Sequence, residues 1–413
     1  MGRWPAHAYE MSGCSARPPL CWPHVRLMDS EFYSLTLRFL TGIEEASTRP
    51  CVLGVYSLFV IASVATLASC GRTGHSDPGV VSSQRVKPLG APVDLTVPLG
   101  LPPVPVPRDN PMTVRAVALG RRLFYDRRLS RDNTVSCASC HNPLFNFTDR
   151  QPHSIGVAGK TGTRNAPTLI NTAYNAAQFW DGRAPTLEAQ IGGPMENPVE
   201  MDQPHELAVS KLNADPELRR HFEEAFGPGP VTLGKIEQAI ASFERTLISA
   251  DSPFDRYEYE GDKTALSPAA IRGLAVFKNP EKGNCVSCHT ITGKYALLTD
   301  GLFHNIGVGV NDEGELTDLG RFSETKHDAD KGAFKTPTLR GVAESAPYMH
   351  NGSLKTLKDV VDFYAGRGNS NLYLDKRISA IQLSGRDRLD LVEFLKSLSS
   401  KLPPDAGPLP TGE

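Results

Sequence analysis

Residues 167–187 read PTLINTAYNAAQFWDGRAPTL and residues 337–357 read PTLRGVAESAPYMHNGSLKTL, and the two stretches lie on each other without a gap. Pro167-Thr168-Leu169 falls on Pro337-Thr338-Leu339, Asp181-Gly182 on Asn351-Gly352, and Thr186-Leu187 on Thr356-Leu357, at a constant offset of 170. Internal self-similarity marks a repeated structural unit. Upstream of each copy stands one five-residue pattern, Cys137-Ala138-Ser139-Cys140-His141 and Cys285-Val286-Ser287-Cys288-His289. Two related modules with one site each are predicted.

The patterns between these landmarks are helical. Thr113 to Tyr125 (TVRAVALGRRLFY) leads into the first Cys-x-x-Cys-His string. Ser267-Pro268 pairs a capping residue with Pro at the first helical position and opens the helix leading into the second string. Ile236, Ile240, Phe243 and Leu247 recur at helical spacing, as do Leu391, Phe394, Leu395 and Leu398. A further helix is predicted from Leu354 to Ala365. No long alternating strand pattern competes, so the fold class is mostly α, with an N-terminal domain over 112–250 and a C-terminal domain over 251–400.

The chain has 413 residues, 40% of them hydrophobic and 22% charged, with a formal net charge of −2. That composition excludes a multi-pass membrane protein, a disordered chain, and a protein that binds nucleic acid through bulk charge. Of the eight cysteines, Cys14, Cys21, Cys51 and Cys70 lie in the first 70 residues, and the other four are those of the two strings. None is left in the body for a structural disulfide. A Cys-x-x-Cys pair can bind zinc, exchange disulfides or, with His next, attach haem. Zinc ribbons need two pairs about 15–20 residues apart, whereas these lie 148 apart, counted from Cys137 to Cys285. A redox pair would be single and would not require the histidine. Two covalent c-type haems satisfy the pattern, with thioethers at Cys137, Cys140, Cys285 and Cys288 and with His141 and His289 as iron ligands.

Val52 to Ala68 (VLGVYSLFVIASVATLA) is an apolar run of signal-peptide length ending in Leu67-Ala68-Ser69-Cys70. The ending resembles a bacterial lipobox, so residues 1–70 are expected to be a leader, with Cys70 lipidated and the domain exported to the periplasm and tethered there. An ordinary cleaved signal peptide or an uncleaved anchor would also export it. Residues 71–111 are rich in Pro, Gly, Ser and Val (PLGLPPVPVPRDNP) and read as an extended linker, and residues 401–413 as a disordered tail.

Three strings, LGRRLFYDRRLS, RNAPTLINTAYNAAQFWDGRAPTLEAQIGGPMENPVEM and FKTPTLRGVAESAPYMHNGS, resemble the bacterial dihaem cytochrome c peroxidase family, which includes the MauG-type enzymes. The resemblance covers nearly all of Met112 to Leu398. It implies a cytochrome c fold in each domain, an N-terminal haem that reacts with hydrogen peroxide and a C-terminal haem that relays electrons. It places Gln190 and Glu200 as the distal pair that assists O–O cleavage, and Trp180, the one Trp of the body, between the haems. Asn165 with the backbone carbonyls of Ser345 and Pro347 falls on the family's calcium site. The implied reductant is a small c-type cytochrome, a copper protein or the side chains of a partner protein, and relatives are often homodimers.

Two departures set the modules apart. The family's SxGH pattern, whose histidine caps the first iron in some members, reads Ser154-Ile155-Gly156-Val157 here. Valine cannot ligate, and the nearest alternative is His153. Adding 170 to Pro194 lands on Tyr364, the position that supplies the second haem's sixth ligand, methionine in ordinary peroxidases and tyrosine in MauG-like ones. Met349 and His350 are nearby rivals for that role. One haem is therefore expected to be open and the other closed. Gly283 replaces a surface Trp present in the MauG-type enzyme that matures methylamine dehydrogenase. A dihaem electron carrier without peroxidase activity is the alternative from a different class.

Overall fold

The computed structural model describes residues 84–378 and 381–408. Cys14, Cys21, Cys51 and the lipidation candidate Cys70 lie outside the described residues. Eight helices of nine residues or more are described: α1 (Val114–Phe124), α2 (Leu187–Glu196), α3 (His205–Asn213), α4 (Pro216–Phe226), α5 (Leu233–Glu244), α6 (Pro268–Lys278), α7 (Leu357–Ala365) and α8 (Gly385–Lys396). The strands described are a pair of two-residue segments, β1 (Phe303–His304) and β2 (Phe334–Lys335), antiparallel with Phe303 opposite Lys335. The mostly helical expectation agrees with this. None of the described helices is long and apolar enough to cross a membrane.

Two hydrophobic clusters form the interior. The first joins Leu123 and Phe124 of α1 to Ile191 and Met195 of α2, Leu212, Phe222, and Ile236, Ile240 and Phe243 of α5. The second joins Leu274 and Phe277 of α6 to Val361 of α7 and Leu391, Phe394 and Leu395 of α8. Ile236, Ile240 and Phe243 are on the buried face of α5 and Leu391, Phe394 and Leu395 on that of α8, while Leu247 and Leu398, also buried, follow the helix ends.

The helix crossings in the two clusters have the same construction. Gly120 of α1 lies where an added Cβ would sit 1.8 Å from the carbonyl oxygen of Ala239, and Gly273 of α6 where one would sit 1.9 Å from that of Asp390. Each close approach brings together one tilted aromatic pair, Phe124 with Phe243 at 5.2 Å and Phe277 with Phe394 at 5.0 Å. The offset of 170 also recurs in the backbone. Gln178 bridges Ala184 as Tyr348 bridges Leu354, and the left-handed residues Asn171, Phe179 and Gly182 correspond to Gly341, Met349 and Gly352. Thr186 and Thr356 are the N-caps of α2 and α7.

Caps set the helix starts. Thr113 accepts from Ala116 N–H at 3.2 Å and Ser267 from Ala270 N–H at 3.1 Å, the latter with Pro268 at the first helical position as expected. One start differs from the sequence reading: α7 begins at Leu357, not Leu354. Leu354 is paired with Tyr348, and Thr356 with Asp359 forms a capping box that fixes the first turn after it.

The proline-rich stretch differs from a free spacer over its described part. It is extended, as expected, because its prolines remove backbone donors and fix φ, but it lies along the helices as a strap. Val86 exchanges two 2.9 Å hydrogen bonds with the side chain of Gln238, and Leu89 N–H donates to the Ala225 carbonyl at 2.7 Å. Asn110 is buried completely, donating to Glu188 at 2.7 Å. The tail differs in the same way as far as Pro408: Tyr125 donates to the Ala406 carbonyl at 2.7 Å, Arg121 donates to that of Gly407 at 2.6 Å, and Ala406 is buried.

Candidate active site

A cavity of about 890 Å³ runs between the two helical groups, and the Cys-x-x-Cys-His strings open onto it from both sides. His141 follows the short turn Cys137–Cys140 and is hydrogen-bonded through Nδ1 to the Phe147 carbonyl at 3.1 Å, and His289 through Nδ1 to the Leu298 carbonyl at 2.8 Å. A carbonyl only accepts, so each Nδ1 carries the proton and each Nε2 keeps its lone pair. Burial lowers the pKa of both imidazoles, which keeps them neutral. The four cysteines are free, and burial pushes Cys140 up to about 11 and Cys285 to about 12, so they are thiols. Neutral imidazole lone pairs, paired thiols and a largely apolar cavity fit haem in each half.

The chain brings the expected distal residues to the first string. Thr186 caps α2, which carries Gln190 and Pro194 on the cavity wall. After the helix ends, Asn197 accepts from Val199 N–H at 3.1 Å and donates to Glu200 Oε1 at 2.6 Å, turning Glu200 back over the cavity. Burial raises the pKa of Glu200, opposed by the positive charge of Arg183 and by the Asn197 bond. Arg183 is itself held over the Phe179 ring at 3.5 Å and by Asp181 at 2.8 Å.

The loop that departs from the SxGH pattern also positions Glu200. Val157 N–H donates to the Glu200 carbonyl at 2.9 Å, and a Cβ at Gly156 would lie 2.4 Å from that oxygen and 2.3 Å from that of Val199. Gly156→Ala is therefore expected to push the Glu200 segment away and to lower peroxide turnover while haem content stays normal; steady-state kinetics beside a haem assay checks this. Val157 is buried, Ser154 and Gly156 line the cavity, and His153 does not.

Trp180 lies between the halves. Its Nε1–H donates to the Asn165 carbonyl at 2.9 Å, and its own carbonyl accepts from Lys335 N–H of β2 at 2.8 Å. Asn165, Ser345 and Pro347 all line the same cavity. Asn165 Nδ2 donates to the Gln151 carbonyl at 2.7 Å, which leaves Oδ1 as its free oxygen.

Burial raises the pKa of the Tyr364 hydroxyl of α7, and the neighbouring Cys285 and Cys288 raise it further. Tyr364 lines the cavity, and its hydroxyl makes no protein hydrogen bond among the described residues. The rival His350 is stacked on Phe334 at 3.6 Å, with Asp318 and Arg164 as its charged neighbours. Met349 also lines the cavity.

Three further side chains of this site stand out only in the structure. Lys335 is 9% exposed, and burial, with no compensating carboxylate, lowers its pKa to about 8. Arg183 and Glu244 also line the cavity. The one legible signal was for Glu244, a charge four residues after Ile240 and three before Leu247 on an otherwise apolar helix face.

The model of the di-haem cytochrome c peroxidase family matches residues 114–264. The methylamine utilization protein MauG of Methylorubrum extorquens is 40% identical over 300 residues, spanning 72% of this chain and 82% of the relative. The chain belongs to the di-haem cytochrome c peroxidase family. The cytochrome c551 peroxidase of Pseudomonas aeruginosa is 39% identical, spanning 72% of this chain and 82% of its own length. Among solved structures, a MauG-like protein associated with microbial copper homeostasis superposes with a TM-score of 0.69 at 32% identity, covering 75% of this chain and 96% of that one. Family membership makes this chain a peroxidase-type oxidoreductase and implies two haems, hydrogen peroxide as substrate and a redox partner.

Proposed function

We propose that the chain is an exported dihaem c-type peroxidase whose two sites are unequal, the first open to peroxide and the second closed by Tyr364. The haems would be held by Cys137, Cys140 and His141 and by Cys285, Cys288 and His289, in two modules related by duplication. The recurrent crossings, turns and caps support that relation. The observation that carries the reading is a pair of positions. Pro194 and Tyr364 each stand eight residues past a threonine N-cap, Thr186 and Thr356, and both line the cavity. Proline offers iron nothing; the phenol oxygen of Tyr364 has no protein hydrogen bond among the described residues.

Iron in a porphyrin supplies a site that binds peroxide and takes up its oxidising equivalents. The chain's own residues handle protons and orientation. Glu200, within an enclosed pocket, takes the proton from one peroxide oxygen and returns it to the leaving oxygen, while the Gln190 amide orients the molecule. Trp180, bonded to both halves, links the sites for electron transfer. Asn165 Oδ1 with the Ser345 and Pro347 carbonyls would hold a calcium ion, since an amide oxygen and carbonyls suit a hard cation.

The electrons would come from a small c-type cytochrome or copper protein, or from side chains of a protein substrate. Methylamine dehydrogenase is disfavoured as that substrate: at Gly283, where its maturing enzyme has Trp, a Cβ would lie 2.6 Å from the Val276 carbonyl oxygen. Lipidated Cys70 would tether the enzyme in the periplasm.

The test is hydrogen peroxide added to the as-isolated ferric holoenzyme, followed by titration with a reduced small c-type cytochrome. Turnover without prior reduction is expected, from a protein whose EPR spectrum holds one high-spin and one low-spin haem, with Tyr364→Phe losing the low-spin component. A resting protein with both haems low-spin and inert to peroxide would instead be an electron carrier.

A further inference from the structure

Among the described residues, the first half holds two helices without counterparts in the second. α1, α2 and α5 correspond to α6, α7 and α8, but α3 and α4 stand between α2 and α5, whereas no helix is described between α7 and α8. The added pair grips the loop over 126–133, which leads into Cys137.

Lys211, on the last turn of α3, places its ammonium among five oxygens. It donates to the carbonyls of Ser130 at 2.8 Å and of Arg128 and Arg131 at 3.3 Å, and to the side-chain oxygens of Asn133 and Gln203 at 3.0 Å. An ammonium has three N–H groups, fewer than the oxygens gathered here. Convergent carbonyl dipoles repel one another unless a positive charge sits among them, and a ring of neutral oxygens is how proteins replace the hydration shell of a monovalent cation. Gln203 shows that the charge organises the group. It is 1% exposed, turns its oxygen to Lys211 and leaves its own Nε2 without a hydrogen-bond partner among the described residues.

The five oxygens come from two segments. Four belong to the loop before the first Cys-x-x-Cys-His string, where Ser130 Oγ also accepts from Val135 N–H at 3.3 Å, two residues short of Cys137. The fifth, from Gln203, belongs to the segment that follows Glu200. Arg131 ties the same two segments, its N–H donating to the Met201 carbonyl at 2.9 Å and its Nε to the Asp202 carbonyl at 2.8 Å. α4 adds a second grip, since Asp215, its N-cap, accepts from Arg128 at 2.6 Å.

We propose that Lys211 is a tethered cation occupying an oxygen site, and that by filling it Lys211 holds the loop before Cys137 and the Glu200 segment in register. It is a positioning residue, off the cavity wall and touching no reacting atom. Its effect on peroxide chemistry rests on the reading that peroxide reacts at the first site; the cation site itself does not.

The experiment compares wild type, K211A, K211M and N133G as ferric holoenzymes in potassium chloride and in tetramethylammonium chloride of equal ionic strength. Hydrogen exchange of amides 128–136 reports on the loop, and stopped-flow mixing with hydrogen peroxide reports on the pocket. In tetramethylammonium, which is too large for the site, K211A is expected to keep its haem, to exchange faster over the loop and to react with peroxide roughly 10- to 100-fold more slowly, the scale set by a small misplacement near a reacting centre. Potassium is expected to enter the emptied site and restore both readouts. K211M fills the site with an apolar chain and is expected to be slow in both salts, while wild type, whose site is occupied, is expected to behave alike in both. N133G removes one oxygen at an exposed residue whose φ of 58° suits glycine; it is expected to loosen the loop in the same direction and reports on the site should K211A not fold. Wild-type loop exchange in K211A, or in N133G where K211A does not fold, would overturn the proposal, and so would a loosened K211A that potassium does not restore or a potassium effect of equal size in wild type. A wild type that leaves peroxide untouched, with loop exchange in K211A still restored by potassium, overturns the peroxide-site reading and leaves the cation site standing.

Discussion

Glu200→Gln lowers peroxide turnover about 10²–10⁴-fold, the usual contribution of a positioned acid–base group, while haem content and the resting spectrum stay as in wild type. The amide keeps the hydrogen bond from Asn197, by which the turn after α2 is held, so the fold is not at risk. What it loses is the carboxylate that accepts and returns a proton. The pH profile separates this from a positioning effect. Burial raises the Glu200 pKa, so as pH falls through that raised value the carboxylate is protonated and can no longer accept, and wild-type turnover declines. In E200Q that limb disappears. Peroxide kinetics against pH check it, and an unchanged E200Q rate would remove Glu200 from the mechanism.

Asp255→Ala destabilises the holoprotein by about 3–5 kcal/mol, the cost of stranding a buried charge. Arg340 and Asp255 are 1% and 0% exposed and share two hydrogen bonds of 2.8 Å. Arg340 also donates to the carbonyls of Gly100, at 2.8 Å, and Ala296, at 3.0 Å. Without Asp255 its charge has no acid to answer it and no route to water. Gly100 of the strap packs so close that a Cβ there would lie 1.9 Å from Asp255 Oδ1, so the loss also removes a close contact between the strap and the second half. Denaturant unfolding followed by haem absorbance measures this. The control is Lys358→Ala, whose partner is Asp362 and whose own side chain is 65% exposed; solvent screens such a pair and its loss costs at most about 1 kcal/mol.

Different parts of this protein were legible for different reasons. The Cys-x-x-Cys-His strings could be read because their residues are neighbours in sequence, and so could the helix caps, whose donors and acceptors lie three residues apart. The strap over 84–111 could not. Its composition describes how the backbone extends, but what it covers is decided by Gln238, Ala225 and Arg340, far along the chain. Glu244 and Lys335 escaped notice for a related reason. Their significance lies in burial, and burial is a property of the folded neighbourhood. The start of α7 moved by three residues because Leu354 is already committed to Tyr348.

By itself the sequence determined that the chain is mostly helical, that it carries two related segments each with a Cys-x-x-Cys-His string, and that Pro194 and Tyr364 occupy corresponding places. These follow from local periodicity and from a register that can be counted. The tertiary structure alone decided that both strings open onto one cavity, that Trp180 is hydrogen-bonded to both halves, and that Glu244 of α5 is buried on the wall of that cavity. Those facts depend on burial and on contacts between residues distant in sequence, which arise only when helices cross as closely as Gly120 and Gly273 permit.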